Sequence, residues 1–292
     1  MTAYLLNLAT LICINATLAI TLNFIMGYAG IYSIAHAVFF GIGAYTAAYL
    51  GIHVSASIFL TIPAAMLMGG VLSLALALPA LRVRGEYFVA ASLGLQVLGV
   101  TVFSQWKSVT GGIGGLVGIP PISVLGHAVT NPVEFLLLAV ACLAVIIVVT
   151  GALLHSSFGR NLQAIRDSES AANAFGKNVA AIKTLSVVVS ASLAAVAGAL
   201  YAFYLGFINV ESFTMDTSVL LMAMVIIGGA GTVLGPIVGA TLLMLLPSLF
   251  SYLPFLPATE IGSIQQIAYG LAMVLLMIFR PGGIVGPRNL ER

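Results

Sequence analysis

Nine of the ten lysines and arginines fall in three short patches, and the stretches between them are almost wholly apolar. Arg82 and Arg84 form the first patch. Arg160, Arg166, Lys177 and Lys183 form the second, and Arg280, Arg288 and Arg292 the third. Long greasy runs broken by so few charges leave little choice of fold. The chain is 61% hydrophobic and 6% charged, whereas soluble domains carry about a quarter charged residues. Too little polar surface exists to wrap such a chain in water, so its solvent is lipid. Short Lys/Arg-bearing loops stay on the cytoplasmic side of a bilayer, so the patches also fix how the chain is threaded.

A helix needs about 20 apolar residues to cross the hydrocarbon. Runs of that kind lie at roughly 4–26, 33–51, 57–80, 87–105, 132–154, 184–207, 217–234, 236–253 and 261–279. The pattern predicts an all-α polytopic membrane protein: a bundle of about 8–10 transmembrane helices, some broken or short. Residues 1–292 read as a single transmembrane domain. The first run lacks a positive n-region and a small-x-small cleavage site, so it is expected to be a retained span. Alternating crossings place the three basic patches on one side and the Gly-rich loop 106–131 on the other, with Lys107 as the exception. The joins near Gly27–Gly30 and Gly228–Gly235 are short and uncharged. Either suits a broken or re-entrant helix, which is tolerated at depth only inside protein or beside a watery cavity. Each is followed by small-residue helix (GIGAYTAAYL and GPIVGATLL), a hint of two related halves.

Residues 155–183 are not a span. They hold six charges, Arg160, Arg166, Asp167, Glu169, Lys177 and Lys183. At about 3 kcal/mol per charge at a helix centre, insertion costs on the order of 15 kcal/mol or more. Leu162 to Phe175 lacks Pro and Gly and is Ala-rich, which predicts one helix stopped at Gly176. Two readings stay open: a solvated connector, or a helix that docks into another protein.

Chemistry-bearing constellations are scarce. Cys13 and Cys142 lie inside apolar runs, and two distant thiols make neither a structural disulfide nor a metal site. No Gly-Lys-Ser/Thr phosphate loop and no basic stripe for nucleic acid occur. No catalytic set suits an intramembrane hydrolase. Glu86, Glu134, Glu211, Asp216 and Glu260 fall at span ends or in loops, which disfavours proton coupling. Hence no cofactor, metal or catalytic residue is expected. Glycines in membrane helices usually serve close packing. Where helices break, however, they expose backbone groups that can serve a small solute without a buried charge. On that ground Ser33, His36, Gly228, Gly229, Gly231 and Thr232 are the substrate-pathway candidates, although a lone membrane histidine is more often a hydrogen-bonded packing residue.

Several segments, in order, carry a family resemblance: GYAGIYSIAHAVFFGIGAYTAAYL, LRVRGEYFVAASL, TGGIGGLVGIP, SSFGRNLQAIRDSESAANAFGKNVAAIKTLSVVVSASLAAVAGAL, MVIIGGAGTVLGPIVGA and RPGGIVG. The chain resembles the LivM-type permease subunits of bacterial ABC importers for branched-chain amino acids over nearly its whole length. The resemblance implies a multi-pass inner-membrane permease with no chemistry of its own. It implies pairing with a second, LivH-like permease, two cytoplasmic ABC ATPase subunits and a periplasmic amino-acid-binding protein. It also makes 155–183 the ATPase-coupling loop, carrying a cytoplasmic coupling helix, with Arg160, Arg166, Asp167, Glu169, Ala171, Ala172 and Gly176 as its candidate residues. Ala171, Ala172 and Gly176 match the Ala-Ala-x-x-x-Gly core of the importers' EAA-type motif. Ser170 stands where Glu is expected, and the Ile/Leu-Pro continuation is missing. Leucine, isoleucine and valine are the expected substrates. Relatives for urea and short amides make those solutes, or other small amino acids, the alternative, ahead of a secondary transporter or channel and of a membrane scaffold or membrane-embedded enzyme.

Overall fold

The structure, a computed structural model, describes residues 2–81, 87–251, 267, 270–271, 274–275 and 282–286. The patch at Arg82 and Arg84, Glu86, Glu260, most of the expected span 261–279, and Arg280, Arg288 and Arg292 lie outside these residues.

The protein is an all-α polytopic membrane protein. Its helices are α1 (Thr2–Met26), α2 (His36–His53), α3 (Ile58–Leu81), α4 (Tyr87–Gln105), α5 (Lys107–Thr110), α6 (Pro132–His155), α7 (Ser157–Asp167), α8 (Glu169–Ala174), α9 (Val179–Leu205), α10 (Met215–Gly228) and α11 (Gly235–Ser251). Among the described residues four two-residue strands form two small sheets. β1 (Leu116–Val117) pairs antiparallel with β4 (Phe207–Ile208), and β2 (Ser123–Val124) with β3 (His127–Ala128). Among the described residues four helices are long and apolar enough to cross a membrane: Ala3–Met26, Phe88–Gln105, Pro132–His155 and Val179–Leu205.

Contacts between elements define two ends of the bundle. At one end Tyr204 of α9 donates to Asn7 of α1 at 2.9 Å, β1 pairs with β4, and Ser123 donates its amide to the Ala56 carbonyl. At the other end α7 meets the C-terminus of α1 and the turn between α10 and α11, with α8 packed on α7 and α9. We call these the β end and the lever end. The small-residue helix α2 is the centre of the bundle, buried along almost all of its length and packed chiefly on α9. Its contact depends on glycine. A Cβ at Gly43 would collide with the Ala195 backbone, and one at Gly198 with the Phe40 carbonyl. The outer faces of α3, α4 and α6 expose Leu67, Val71, Leu98, Val102, Leu137 and Val148, as expected of surfaces solvated by apolar surroundings.

Two expected spans and the helix expected in the polar loop are redrawn. The run 33–51 becomes helical only at His36, because residues 27–35 are irregular. In them Ala29, Ile31 and Ser33 are buried while Gly30 and Tyr32 are exposed, the alternation of an extended chain. The Ile34 amide donates to Ser92 Oγ at 3.0 Å and the Ala35 amide to Ser33 Oγ at 3.3 Å. The run 217–234 stops at Gly228 because Gly229 adopts φ +120. The helix expected over 162–175 starts earlier and is broken. Ser168 is extended (φ −159, ψ 105) and its hydroxyl accepts from the Ala171 amide at 3.3 Å, which ends α7 and caps α8. Serine competes with helix by this local bond, an effect that average propensity over the window conceals. The glycine stop itself holds: Gly176 follows α8 with φ +72.

Candidate functional site

The lever is α7 and α8. The Ser156 hydroxyl accepts from the Phe158 amide at 3.2 Å and starts α7. Gly159, Leu162 and Ile165 then recur on one face and are buried, while Arg160, Arg166 and Asp167 occupy the exposed face. With the break at Ser168, the amphipathic face belongs to α7 alone. That is why apolar positions extended through Phe175 trace a wide arc in sequence. Ala172 turns inward against Ile165 and Val179, whereas Ala171 and Glu169 face outward. Lys183 Nζ donates to Glu169 Oε2 at 2.7 Å and holds α8 to the first turns of α9. Arg160 donates to the His155 carbonyl at 3.0 Å. Phe175 is 84% exposed, an aromatic ring at the tip of a polar loop.

Arg166 is exposed along one edge and reaches back to the bundle with the other. Its Nη1 donates to the Gly27 carbonyl at 2.7 Å, while Nε and Nη2 each lie 3.3 Å from Asp167 Oδ1. Its stem lies so close beneath Gly30 that a Cβ there would stand 2.9 Å from Arg166 Cγ. Gly30, at φ +67, also has the backbone that disfavours a side chain. Burial pushes the neighbouring Tyr28 phenol up, with the Arg166 charge acting in the opposite sense.

The glycine-rich turn 229–234 sits against the same group. Asn23 of α1 bridges it: Oδ1 accepts from the Gly231 amide and Nδ2 donates to the Thr232 carbonyl, both at 2.8 Å. Thr232 Oγ1 donates to the Gly229 carbonyl and accepts from the Gly235 amide, so it caps α11. Gly228 packs on Gly235. The segment Gly282–Gly286 closes the turn from outside. The amides of Ile284 and Val285 donate to the Ile227 and Gly228 carbonyls, each at 3.0 Å. These are two of the carbonyls that a helix C-terminus leaves unpaired.

Ser33 and His36 belong to a second polar cluster, at the N-terminus of α2. Thr21 Oγ1 donates to the Leu18 carbonyl at 2.7 Å and lies 2.9 Å from His36 Nε2. The hydroxyl proton being used, Nε2 carries the imidazole hydrogen, and the buried Nδ1 keeps a lone pair with no hydrogen-bond partner among the described residues. The Ala37 amide donates to Ser218 Oγ at 3.0 Å, Ser218 Oγ donates to Gln96 Oε1 at 3.4 Å, and Gln96 Nε2 donates to the Phe213 carbonyl at 2.8 Å. Three helices, α2, α4 and α10, are thereby joined in the middle of the bundle.

The sequence candidates thus fall into two places, divided differently from the expectation. Gly228, Gly229, Gly231 and Thr232 join the lever through Asn23 and Arg166, whereas Ser33 and His36 join Ser92, Gln96 and Ser218. Asn23, Gln96 and Ser218 went unnoticed because a search for charges inside spans passes over neutral polar groups. An amide within an apolar run is the signal that reveals Asn23 and Gln96; Ser218 carries no such mark. Among the described residues no group of three His, Cys, Asp or Glu is placed to hold a metal ion.

Residues 4–279 match the family model described as branched-chain amino acid transport system / permease component. The chain is 29% identical over 302 residues to the high-affinity branched-chain amino acid transport system permease protein LivM of Escherichia coli K12, covering 96% of this chain and 69% of that one. The LivM protein of Salmonella typhimurium is 28% identical with the same coverage. The ribose import permease protein RbsC of Haemophilus influenzae is 25% identical over 98% of this chain and 87% of its own length. No solved structure matches at a significant level.

Proposed function

Because the chain belongs to the permease-component family of branched-chain amino acid transport systems, we propose that it is the membrane half of an ATP-driven importer for leucine, isoleucine and valine. The observation that carries this reading is the lever: a polar α7–α8 pair, exposed on its outer face, standing off an otherwise apolar bundle and held to its core by Arg166. A self-contained carrier needs no such handle. In this reading the lever end is cytoplasmic, as its Arg and Lys content requires, and the membrane is the bacterial inner membrane. Residues 1–292 act as one permease domain.

The permease itself breaks no bond. Two cytoplasmic ABC ATPases hydrolyse ATP to ADP and phosphate, and Phe175, Glu169, Ala171 and Gly176 form the face on which one of them docks. An exposed aromatic ring amid polar neighbours is the kind of anchor that dominates an interface. A second, LivH-like permease pairs through the apolar outer surface. A periplasmic amino-acid-binding protein delivers the solute at the β end. Closure of the ATPases moves the levers as rigid bodies and changes which end of the bundle is open. Selectivity resides mainly in the delivering protein, so the path needs neutral polar groups such as Ser33, His36, Gln96 and Ser218 rather than a buried charge.

The test is uptake by the full complex, reconstituted in vesicles with ATP inside and binding protein outside. A panel of leucine, isoleucine, valine, urea and ribose separates the machine from its substrate. ATP-dependent accumulation of the three branched-chain amino acids is expected. Accumulation of urea or ribose alone would keep the machine and replace the substrate. Leucine movement by this chain alone, with no ATPase, would defeat the reading.

A further inference from the structure

We infer that Arg166 is a positioning residue for transport: it carries displacement of α7 into the two irregular segments that precede α2 and α11. The inference rests on the reading of the chain as an ATP-driven permease.

By covalent connection the lever moves only α6, which runs into α7 at Ser156, and α9, which follows α8. α9 packs along α2 itself, but neither connection runs to the irregular segments that precede α2 and α11. Arg166 supplies the missing contact. One guanidinium nitrogen holds the Gly27 carbonyl at 2.7 Å, where the chain leaves α1. The stem fills the space beneath Gly30, midway along the segment that enters α2. The same Nη1 lies where a Cβ on Gly231 would come within 3.5 Å of it, and Gly231 lies in the turn that enters α11. Asp167 accepts from the other edge of the guanidinium, so the group is held on both sides.

From Gly30 the path continues through contiguous bonds. Ile34 is tied to Ser92 of α4, Ala37 to Ser218 of α10, and Ser218 to Gln96. A shift of Arg166 therefore reaches the polar cluster around His36 through an irregular segment that can flex, without having to bend a helix. Arginine suits the task because its planar fork engages a carbonyl and a carboxylate together, which a lysine point charge does not.

A purely structural role competes with this one. A cation near the last carbonyls of α1 stabilises that helix end whether or not anything moves. The two roles differ in the amount of solute moved per ATP. A helix cap affects how much complex assembles and how well it resists heat, and leaves that ratio alone. A transmitting residue changes the ratio in complex that has assembled.

The experiment compares Arg166→Met, which keeps the stem and loses the donors, with Arg166→Lys, which keeps the charge and one donor. Both are made in the full transporter in vesicles, with radiolabelled leucine as the probe. Leucine per ATP is expected to fall about tenfold for Met and by no more than about threefold for Lys, within the range by which transmitting residues alter coupling. The ATPase subunits should remain bound as in wild type. An unchanged ratio in Arg166→Met overturns the inference, and so does loss of the ATPases from that variant, which would make Arg166 a docking residue. If Arg166→Met does not assemble, Arg166→Gln takes its place and the same results decide. If the wild-type complex takes up none of the panel solutes with ATP, the functional reading fails first and carries this inference with it; uptake of urea or ribose alone moves the same comparison to that solute.

Discussion

Gly198 of α9 lies against the Phe40 carbonyl of α2 so closely that no side-chain carbon fits between them. One turn away, Gly43 of α2 meets the backbone of Ala195 in the same way. The central helix is thus held by reciprocal close approach, the contact by which apolar helices associate where lipid offers no hydrophobic drive. Gly198→Val should force the pair apart at a cost of about 1–3 kcal/mol. A clear drop in the melting temperature of the detergent-solubilised protein is expected. An unchanged melting temperature would show that α2 can move aside freely.

Asn23 makes two hydrogen bonds to one turn, to the Gly231 amide and the Thr232 carbonyl. Removing the amide leaves both backbone groups without their partner in a half-buried place. Asn23→Ala should destabilise by about 1–3 kcal/mol. Limited proteolysis should then cut the 229–234 turn faster than in wild type. Equal cutting rates would mean that the turn is held by the Gly282–Gly286 segment alone.

Gly229 combines φ +120 with the close approach of that segment. A Cβ would stand 2.9 Å from the Gly282 carbonyl oxygen and 3.0 Å from the Gly286 amide. Gly229→Leu should therefore dislodge 282–286 and expose the Ile227 and Gly228 carbonyls, and uptake should be lost with it. The mechanism is displacement of a cap, not the filling of an open channel. Uptake at wild-type rate in Gly229→Leu would rule it out.

The Glu169–Lys183 bridge is short, 2.7 Å, but its side chains remain 44% and 22% exposed. Such a pair contributes roughly 0–1 kcal/mol to stability. Its value lies in orienting α8. Glu169→Lys should leave insertion intact and weaken ATPase association about tenfold, as an altered interface charge does. The swap Glu169→Lys with Lys183→Glu should restore part of the binding. Adding Gly176→Pro to Glu169→Lys should abolish ATP-driven uptake, because proline cannot take the φ of +72 found there. Full uptake in that last variant would remove α8 from the docking face.

Sidedness has a direct assay. Lys177 is exposed in the turn after α8. A membrane-impermeant thiol reagent should label Lys177→Cys from the cytoplasmic side only. Labelling from the outer side would invert the threading and detach the lever from any cytoplasmic motor.

Much of this organisation is legible in the residues themselves. Charge scarcity dictates a lipid solvent, and the position of the six charges in 155–183 keeps that stretch out of the hydrocarbon. Glycine runs mark both interruptions, near Gly30 and near Gly229, because only glycine takes those backbone angles without strain. The break at Ser168 is less visible, since serine breaks a helix only when its hydroxyl finds an amide, and helix propensity averages that away.

What the linear chain determined is its solvent, the rough positions of its apolar runs and its polar lever, since these follow from local composition and the energy of placing charge in lipid. Tertiary structure alone decided which interruption meets which side chain. Arg166 and Gly27 are 139 residues apart in sequence, and Asn23 and Gly231 are 208 apart. No local pattern encodes such pairings. They arise when elements pack closely enough to bring unpaired backbone groups within reach of a guanidinium or an amide, and here that proximity requires Gly27 and Gly30, where a Cβ would collide with the Gly231 amide and the Arg166 stem.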